Sequence, residues 1–199
     1  MRLDYSFYRR DVLDVAEDLL GMNLVRIING KRLACRIVET EAYRGPEDKG
    51  CHAYANRRTK RTEVMFHPGG CAYIYLIYGM YYMLNIVAAE ADEPQAVLIR
   101  AAEPLEGIEE MEKRRRLKTN DRRRLLNGPG KLCQALDIDL SFNGYDLVKG
   151  RKLFIEQPKQ RHAEQIVKAK RINIDYAEEY RDKLWRFYFA DNPYVSRLN

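Results

Sequence analysis

Two glutamates, Glu39 and Glu41, sit at the end of an apolar strand in the stretch VETEAYRGPEDKG. A carboxylate there can face a cleft while a rigid sheet holds its backbone. A basic, turn-rich segment follows. Residues 56–62 hold Arg57, Arg58, Lys60 and Arg61, with Thr59 and Thr62 as further groups able to meet a phosphate. Taken alone, that segment reads as a solvated charged loop. Next comes the tyrosine-dense apolar run CAYIYLIYGMYYMLN, with Tyr78-Gly79 at its middle. A hairpin tip there would show Tyr78, Met80 and Tyr81 to solvent, a liability that a DNA base step can cover by accepting a wedge. The same tyrosines also fit an ordinary strand core. A carboxylate, a cationic loop and an aromatic wedge are together the set needed to work on a nucleobase drawn out of its stack.

Other residues stand out singly. Arg100 interrupts the apolar run at 96–102. A charge there is costly unless it is paired or lines a site, and both a partnership with Glu39 and a place in the site stay open. His52 by itself reads as a satisfied structural histidine. Gly128-Pro129-Gly130-Lys131 opens a helix, where backbone N–H groups and Lys131 make a phosphate site; Walker spacing and its Ser/Thr are missing. The four cysteines, Cys35, Cys51, Cys71 and Cys133, show no CxxC spacing and no histidine at finger-like distance. Buried free thiols in a reducing compartment are expected, with no zinc site or disulfide framework.

The chain has 199 residues, 46% of them hydrophobic, enough for one domain with a sizeable core. A formal charge of +6 favours a polyanionic partner only slightly. The N-terminus MRLDYSFYRRDVLDV has no apolar signal core, and no segment approaches the length of a membrane span, so a protein neither secreted nor membrane-inserted is expected.

The spacing of Val12, Val15, Ala16, Leu19 and Leu20 predicts a helix over 7–20, stopped by Gly21. Strands are expected at 23–28 and 33–40 around an Asn29-Gly30 hairpin turn. Further strands are expected at 71–77, 80–88, 96–102, 152–156, 166–174 and 185–190. Helices are expected at 106–117 and 132–136. The hairpin signals favour a single α+β domain, residues 1–199, with a largely antiparallel sheet over a doubly wound one.

Five stretches then resemble the alkyladenine, or 3-methyladenine, DNA glycosylase family. They are residues 38–43 (VETEAY), 75–81 (YLIYGMY), 97–107 (VLIRAAEPLEG), 128–136 (GPGKLCQAL) and 185–196 (WRFYFADNPYVS). The resemblance runs from about residue 6 to the C-terminus. It implies a curved antiparallel sheet with flanking helices and a protruding β-hairpin. It implies excision of alkylated and deaminated purines from double-stranded DNA, without metal or cofactor: 3-methyladenine, 7-methylguanine and hypoxanthine, with ethenoadenine as a further candidate. Position by position, Glu41 matches the general base for the attacking water, Arg100 a residue that helps hold that water, and the carbonyl of Ile172 another ligand to it. Tyr43, His52 and Tyr75 match the residues that sandwich the extruded base. Asn85 matches the pocket residue that crowds the guanine 2-amino group. Tyr78 matches the side chain that fills the gap in the helix, with Met80 beside it. Arg57, Thr59 and Arg61 lie in the family's DNA-contacting loop. Asn173 departs from a position where the family often has glycine.

No lysine lies among the matched pocket positions, so a monofunctional enzyme is expected, because a lyase step needs a lysine nucleophile. The chain is expected to act as a monomer, in a bacterial cytoplasm at the nucleoid, or in a nucleus if eukaryotic. Two rival readings remain: a metal-dependent nuclease built on Glu39, Glu41, Glu47 and Asp48, and an inactive nucleic-acid-binding module of the same fold.

Overall fold

Both Asn29 and Gly30 take positive φ, 49° and 77°. That conformation matches the twist of flanking strands, and it folds Asn23–Ile28 (β1) back onto Lys31–Arg44 (β2) from Asn23↔Arg36 to Ile28↔Lys31. Tyr78-Gly79, at φ 53° and 68°, makes the second such turn, between Ala72–Ile77 (β3) and Tyr81–Ala88 (β4). Gln95–Glu106 (β5) joins β4 to β2. Leu153–Glu156 (β6) pairs with β1 at the far edge. Ile166–Ala169 (β7) pairs with Arg186–Phe189 (β8), which in turn lies on residues 39–41 of β2. The sheet order is β3-β4-β5-β2-β1-β6 with β8 and β7 branching from β2, and every ladder is antiparallel. This computed structural model describes residues 1–117, 121–160 and 163–197.

Helices Tyr5–Tyr8 (α1), Val12–Asp18 (α2), Ile108–Arg115 (α3) and Pro129–Ala135 (α4) complete an α+β fold. Val15 and Ala16 of α2 and Leu132 and Cys133 of α4 pack with Ile37, Leu84, Ile86 and Ile99 in the main core. Each fully buried Val, Leu or Ile among them contributes about 1.5–3 kcal/mol. Thr40 points into this layer and donates to the Ala16 carbonyl at 2.8 Å. Because strand side chains alternate, Glu41 and Tyr43 face the other way. There a second apolar cluster gathers Met65, Phe66, Tyr73 and Val87, with Tyr43 and Tyr75 against it. The sheet therefore separates a helical scaffold from the face that carries the chemistry-bearing residues.

Three expectations change. The predicted 7–20 helix is two helices, because Asp11 leaves helical geometry and caps α2 by accepting from the Leu13 N–H. Glu41 and Tyr43 lie inside β2, not at its end, because β5 and β8 extend pairing along both edges. The strand beginning at Ile166 stops at Ala169, and the chain leaves the sheet before a run of 3₁₀ turns at Asp175–Asp182. Among the described residues no helix is long and apolar enough to cross a membrane, and all four cysteines are buried free thiols.

Candidate active site

Glu41 sits mid-strand, opposite Leu98 of β5 and Arg186 of β8, and is fully buried. The β2–β5 ladder is irregular here: its register shifts between Ile37 and Glu39 and again between Glu39 and Thr40, leaving Arg100 without a direct partner. Bulges re-aim side chains. Arg100 Nη1 donates to Glu41 Oε2 at 3.2 Å, and its Nε stands 3.4 Å from Glu39 Oε1. The two roles left open for Arg100, ion-pair partner and site residue, are thus held by one side chain. Burial disfavours its charge, but Glu41 and Glu39 more than offset this and raise its pKa. Glu41 takes two more donors: the Tyr43 hydroxyl to Oε2 at 2.9 Å and the Ile172 N–H to Oε1 at 2.7 Å. Ile172 thus touches the carboxylate through its amide. Asn173, next in the chain, has φ 59°, a left-handed conformation that Asn tolerates better than most residues.

Glu39, also fully buried, binds Arg186 Nη1 at 2.9 Å and the Ser196 N–H at 2.7 Å, so it anchors the C-terminal segment. Asp48 is held by Arg171 through two bonds of 2.5 and 2.7 Å, and Glu47 meets Arg44. Each acid of the nuclease reading is thus engaged by arginine. Among the described residues no group of three or more His, Cys, Asp or Glu comes together as metal ligands.

Tyr43, which donates to Glu41, also lines a small cleft together with His52, Tyr73, Tyr75 and Asn85. His52 and Tyr75 rings meet edge-to-face at 4.6 Å. His52 Nδ1 shares a 2.9 Å hydrogen bond with the Tyr73 hydroxyl. Burial, and then the nearby Arg61 cation, push the His52 pKa down to about 4, so the ring is neutral at neutral pH. Asn85, 3% exposed, is fixed by donating to the Tyr73 carbonyl at 3.2 Å. Arg171 lies over the Tyr43 ring at 4.7 Å while donating to the Ala42 carbonyl. Tyr43 is therefore oriented at both its face and its hydroxyl.

Tyr78 and Met80 project from the hairpin tip, 80% and 64% exposed. Arg57, Thr59 and Arg61 line an adjoining cleft, and Arg61 lies over the Tyr75 ring at 5.4 Å. Thr59 and Thr62 spend hydroxyls on each other, 3.1 Å apart, which shapes the loop. Lys131 stands apart from the base cleft, bonded to Asn127; burial, Arg115 and Arg124 lower its pKa. Sequence reasoning missed Tyr73, Tyr176 and the Arg171–Asp48 pair. Two-residue periodicity with Tyr75 pointed to the first; the pair is separated by 123 positions, and nothing local marks Tyr176.

The family model described as methylpurine-DNA glycosylase (MPG) matches residues 6–193. A protein of Natranaerobius thermophilus, provisionally named a 3-methyladenine DNA glycosylase, is 57% identical over 98% of this chain and 99% of its own. Similarly named proteins of Clostridium perfringens (50% identical; 99% and 100% covered) and Desulfitobacterium hafniense (52%; 98% and 98%) extend the likeness across whole chains. With likeness over the full length and a carboxylate set beside an aromatic cleft, the chain belongs to the methylpurine-DNA glycosylase family, enzymes of base excision repair that hydrolyse N-glycosyl bonds in DNA.

Proposed function

We propose that the chain draws 3-methyladenine, 7-methylguanine and hypoxanthine out of duplex DNA and hydrolyses the bond to deoxyribose C1′, with ethenoadenine as a further candidate. The observation that carries this reading is Glu41, a buried carboxylate held by Tyr43, Arg100 and the Ile172 amide next to the aromatic cleft. Oε2 receives two of these donors and Oε1 one, so Oε1 keeps capacity to accept a water proton. Water then attacks C1′, the C1′–N bond breaks toward the purine, and Glu41 takes the proton. The same carboxylate steadies the positive charge that builds on the sugar. Arg100, which reaches Glu41 Oε2 through Nη1 while its Nε faces Glu39, helps hold that water beside the carboxylate.

Tyr43, His52 and Tyr75 sandwich the extruded purine, each stack contributing on the order of 1–3 kcal/mol. Tyr78 fills the gap left in the duplex, with Met80 beside it. Asn85 crowds the 2-amino group of normal guanine. An alkylated purine leaves more readily than a normal one, and a mispaired base is extruded more easily. Arg57, Thr59, Arg61 and Lys131 meet the phosphate backbone. Among the described residues no lysine lines the cleft; a lyase step would need one, so the enzyme is monofunctional and leaves an abasic site. The chain acts as a monomer on DNA, and the bacterial origin of its relatives supports a place in the cytoplasm.

The test is base release, in EDTA, from a duplex carrying hypoxanthine opposite thymine and from methylated DNA. Wild type should release base, and Glu41→Gln should lose release by at least about 10²-fold while still binding. Binding without release by wild type would return the protein to the binding-module reading. Strand nicking without alkali would overturn the monofunctional assignment.

A further inference from the structure

Four residues line both the purine cleft and the adjoining cleft edged by Arg57, Thr59 and Arg61: Gly50, Cys51, His52 and Tyr176. Of these, Tyr176 is a large aromatic ring 66% exposed. A single exposed tyrosine on a surface needs no account, but the backbone that carries this one is pinned. Ala177 is fully buried and its N–H donates to the Ile174 carbonyl at 2.8 Å. Glu178 sits at φ 49°, ψ −127°, a strained conformation of the kind that persists where surrounding structure enforces it. Lys49, which lines the adjoining cleft, bridges Glu178 at 2.6 Å and Glu179 at 3.0 Å. Arg171 adds a bond to the Tyr180 carbonyl at 3.3 Å.

Gly50 lies beneath this turn. A Cβ there would stand 3.1 Å from Arg171 Nη2 and 3.4 Å from the Ala177 Cβ. The close approach sets the Tyr176 hydroxyl 3.4 Å from the Gly50 carbonyl. A strained, doubly bridged turn thus holds an aromatic ring where the inner cleft opens toward the cationic loop. Any nucleotide entering the cleft from that side passes it.

We propose that Tyr176 is a base-retaining residue: its ring packs against the extruded purine nucleotide at the cleft mouth, a contact additional to those of Tyr43, His52 and Tyr75. This rests on the reading of the cleft as a purine pocket. The ring, not the hydroxyl, carries the effect, because the hydroxyl contact is long and stays within the protein.

The experiment compares Glu41→Gln alone with Glu41→Gln combined with Tyr176→Ala, Tyr176→Phe or Tyr176→Leu. Each is bound to a hypoxanthine duplex and to its undamaged counterpart, with Tm recorded for every variant. The alanine and leucine variants should lower the lesion-over-undamaged preference roughly ten-fold, the scale of one base–aromatic stack. Tyr176→Phe should keep it, and undamaged binding and Tm should not move. Preference retained by both the alanine and leucine variants would overturn the inference alone. Loss in the phenylalanine variant would overturn the role of the ring. No lesion preference in the Glu41→Gln parent would sink the purine-pocket reading and this inference together.

Discussion

Glu39 and Glu41 stand two positions apart on one strand, share Arg100, and otherwise answer to different partners. Glu39 is closed in by Arg186 and the Ser196 amide, and Glu41 is presented beside the cleft by Tyr43, Arg100 and Ile172. The sequence shows both acids but not this division, because Arg186 lies 147 positions from Glu39. Glu39→Gln should therefore act on stability: it weakens a pair whose side chains are both fully buried, at a loss of about 3–5 kcal/mol. Glu41→Gln should act on rate. Thermal melts beside base-release assays separate them, and equal melting temperatures for the two variants would contradict the division. His52 carries a second prediction. Its proton binds near 6.5 when free and only near 4 in the fold, through burial and Arg61. Between those values the unfolded chain holds more protons, so stability falls as pH drops from 6.5 toward 4. His52→Gln should remove that part of the acid slope in a Tm series over the same range; an unchanged slope would show that other groups cause it.

At the scale of elements, the two hairpins were legible and the placement of the segment beside the cleft was not. Asn29-Gly30 and Tyr78-Gly79 both turn at positive φ, and turn chemistry is local, so sequence alone finds it. The helix predicted over 7–20 shows the limit of periodicity, since apolar spacing continues across the capping break at Asp11. The charged stretch between the two closing strands reads as helical from sequence and is a run of 3₁₀ turns at Asp175–Asp182, but nothing local marks its placement, which depends on Arg171 reaching Asp48 across 123 positions. That dependence is testable. Arg171→Met leaves Asp48 a buried carboxylate deprived of its bidentate partner and should lower stability by about 3–5 kcal/mol. Tyr78→Ala, at a tip 80% exposed, should move stability by less than about 0.5 kcal/mol while weakening lesion binding. Denaturant midpoints and duplex titrations on the same samples distinguish the two, and a stable Arg171→Met variant would show that the segment is held by other contacts.

Over the whole molecule the antiparallel sheet divides labour by face: helices α2 and α4 bury one side, and the cleft with its flanking loops occupies the other. The α+β class was readable because alternating strands and hairpin turns leave few alternatives. A formal charge of +6 was too weak to name a partner; its placement is more telling. Arg57 and Arg61 edge the cleft, and Lys131 stands near Arg115 and Arg124, where burial and then like charge lower its pKa. Cations so placed should act through counterion release, which lowers log affinity linearly with log salt by about 0.9 per phosphate contact on duplex DNA. Arg57→Ala and Lys131→Ala should each reduce that slope by about one and weaken lesion and undamaged duplexes alike. Tyr78→Ala should keep the slope and lose affinity for the lesion duplex at every salt, because a wedge between bases displaces no counterion. Titrations at several salt concentrations decide this: a Lys131→Ala slope equal to wild type would remove Lys131 from the DNA path and leave Arg57 and Arg61 to set it.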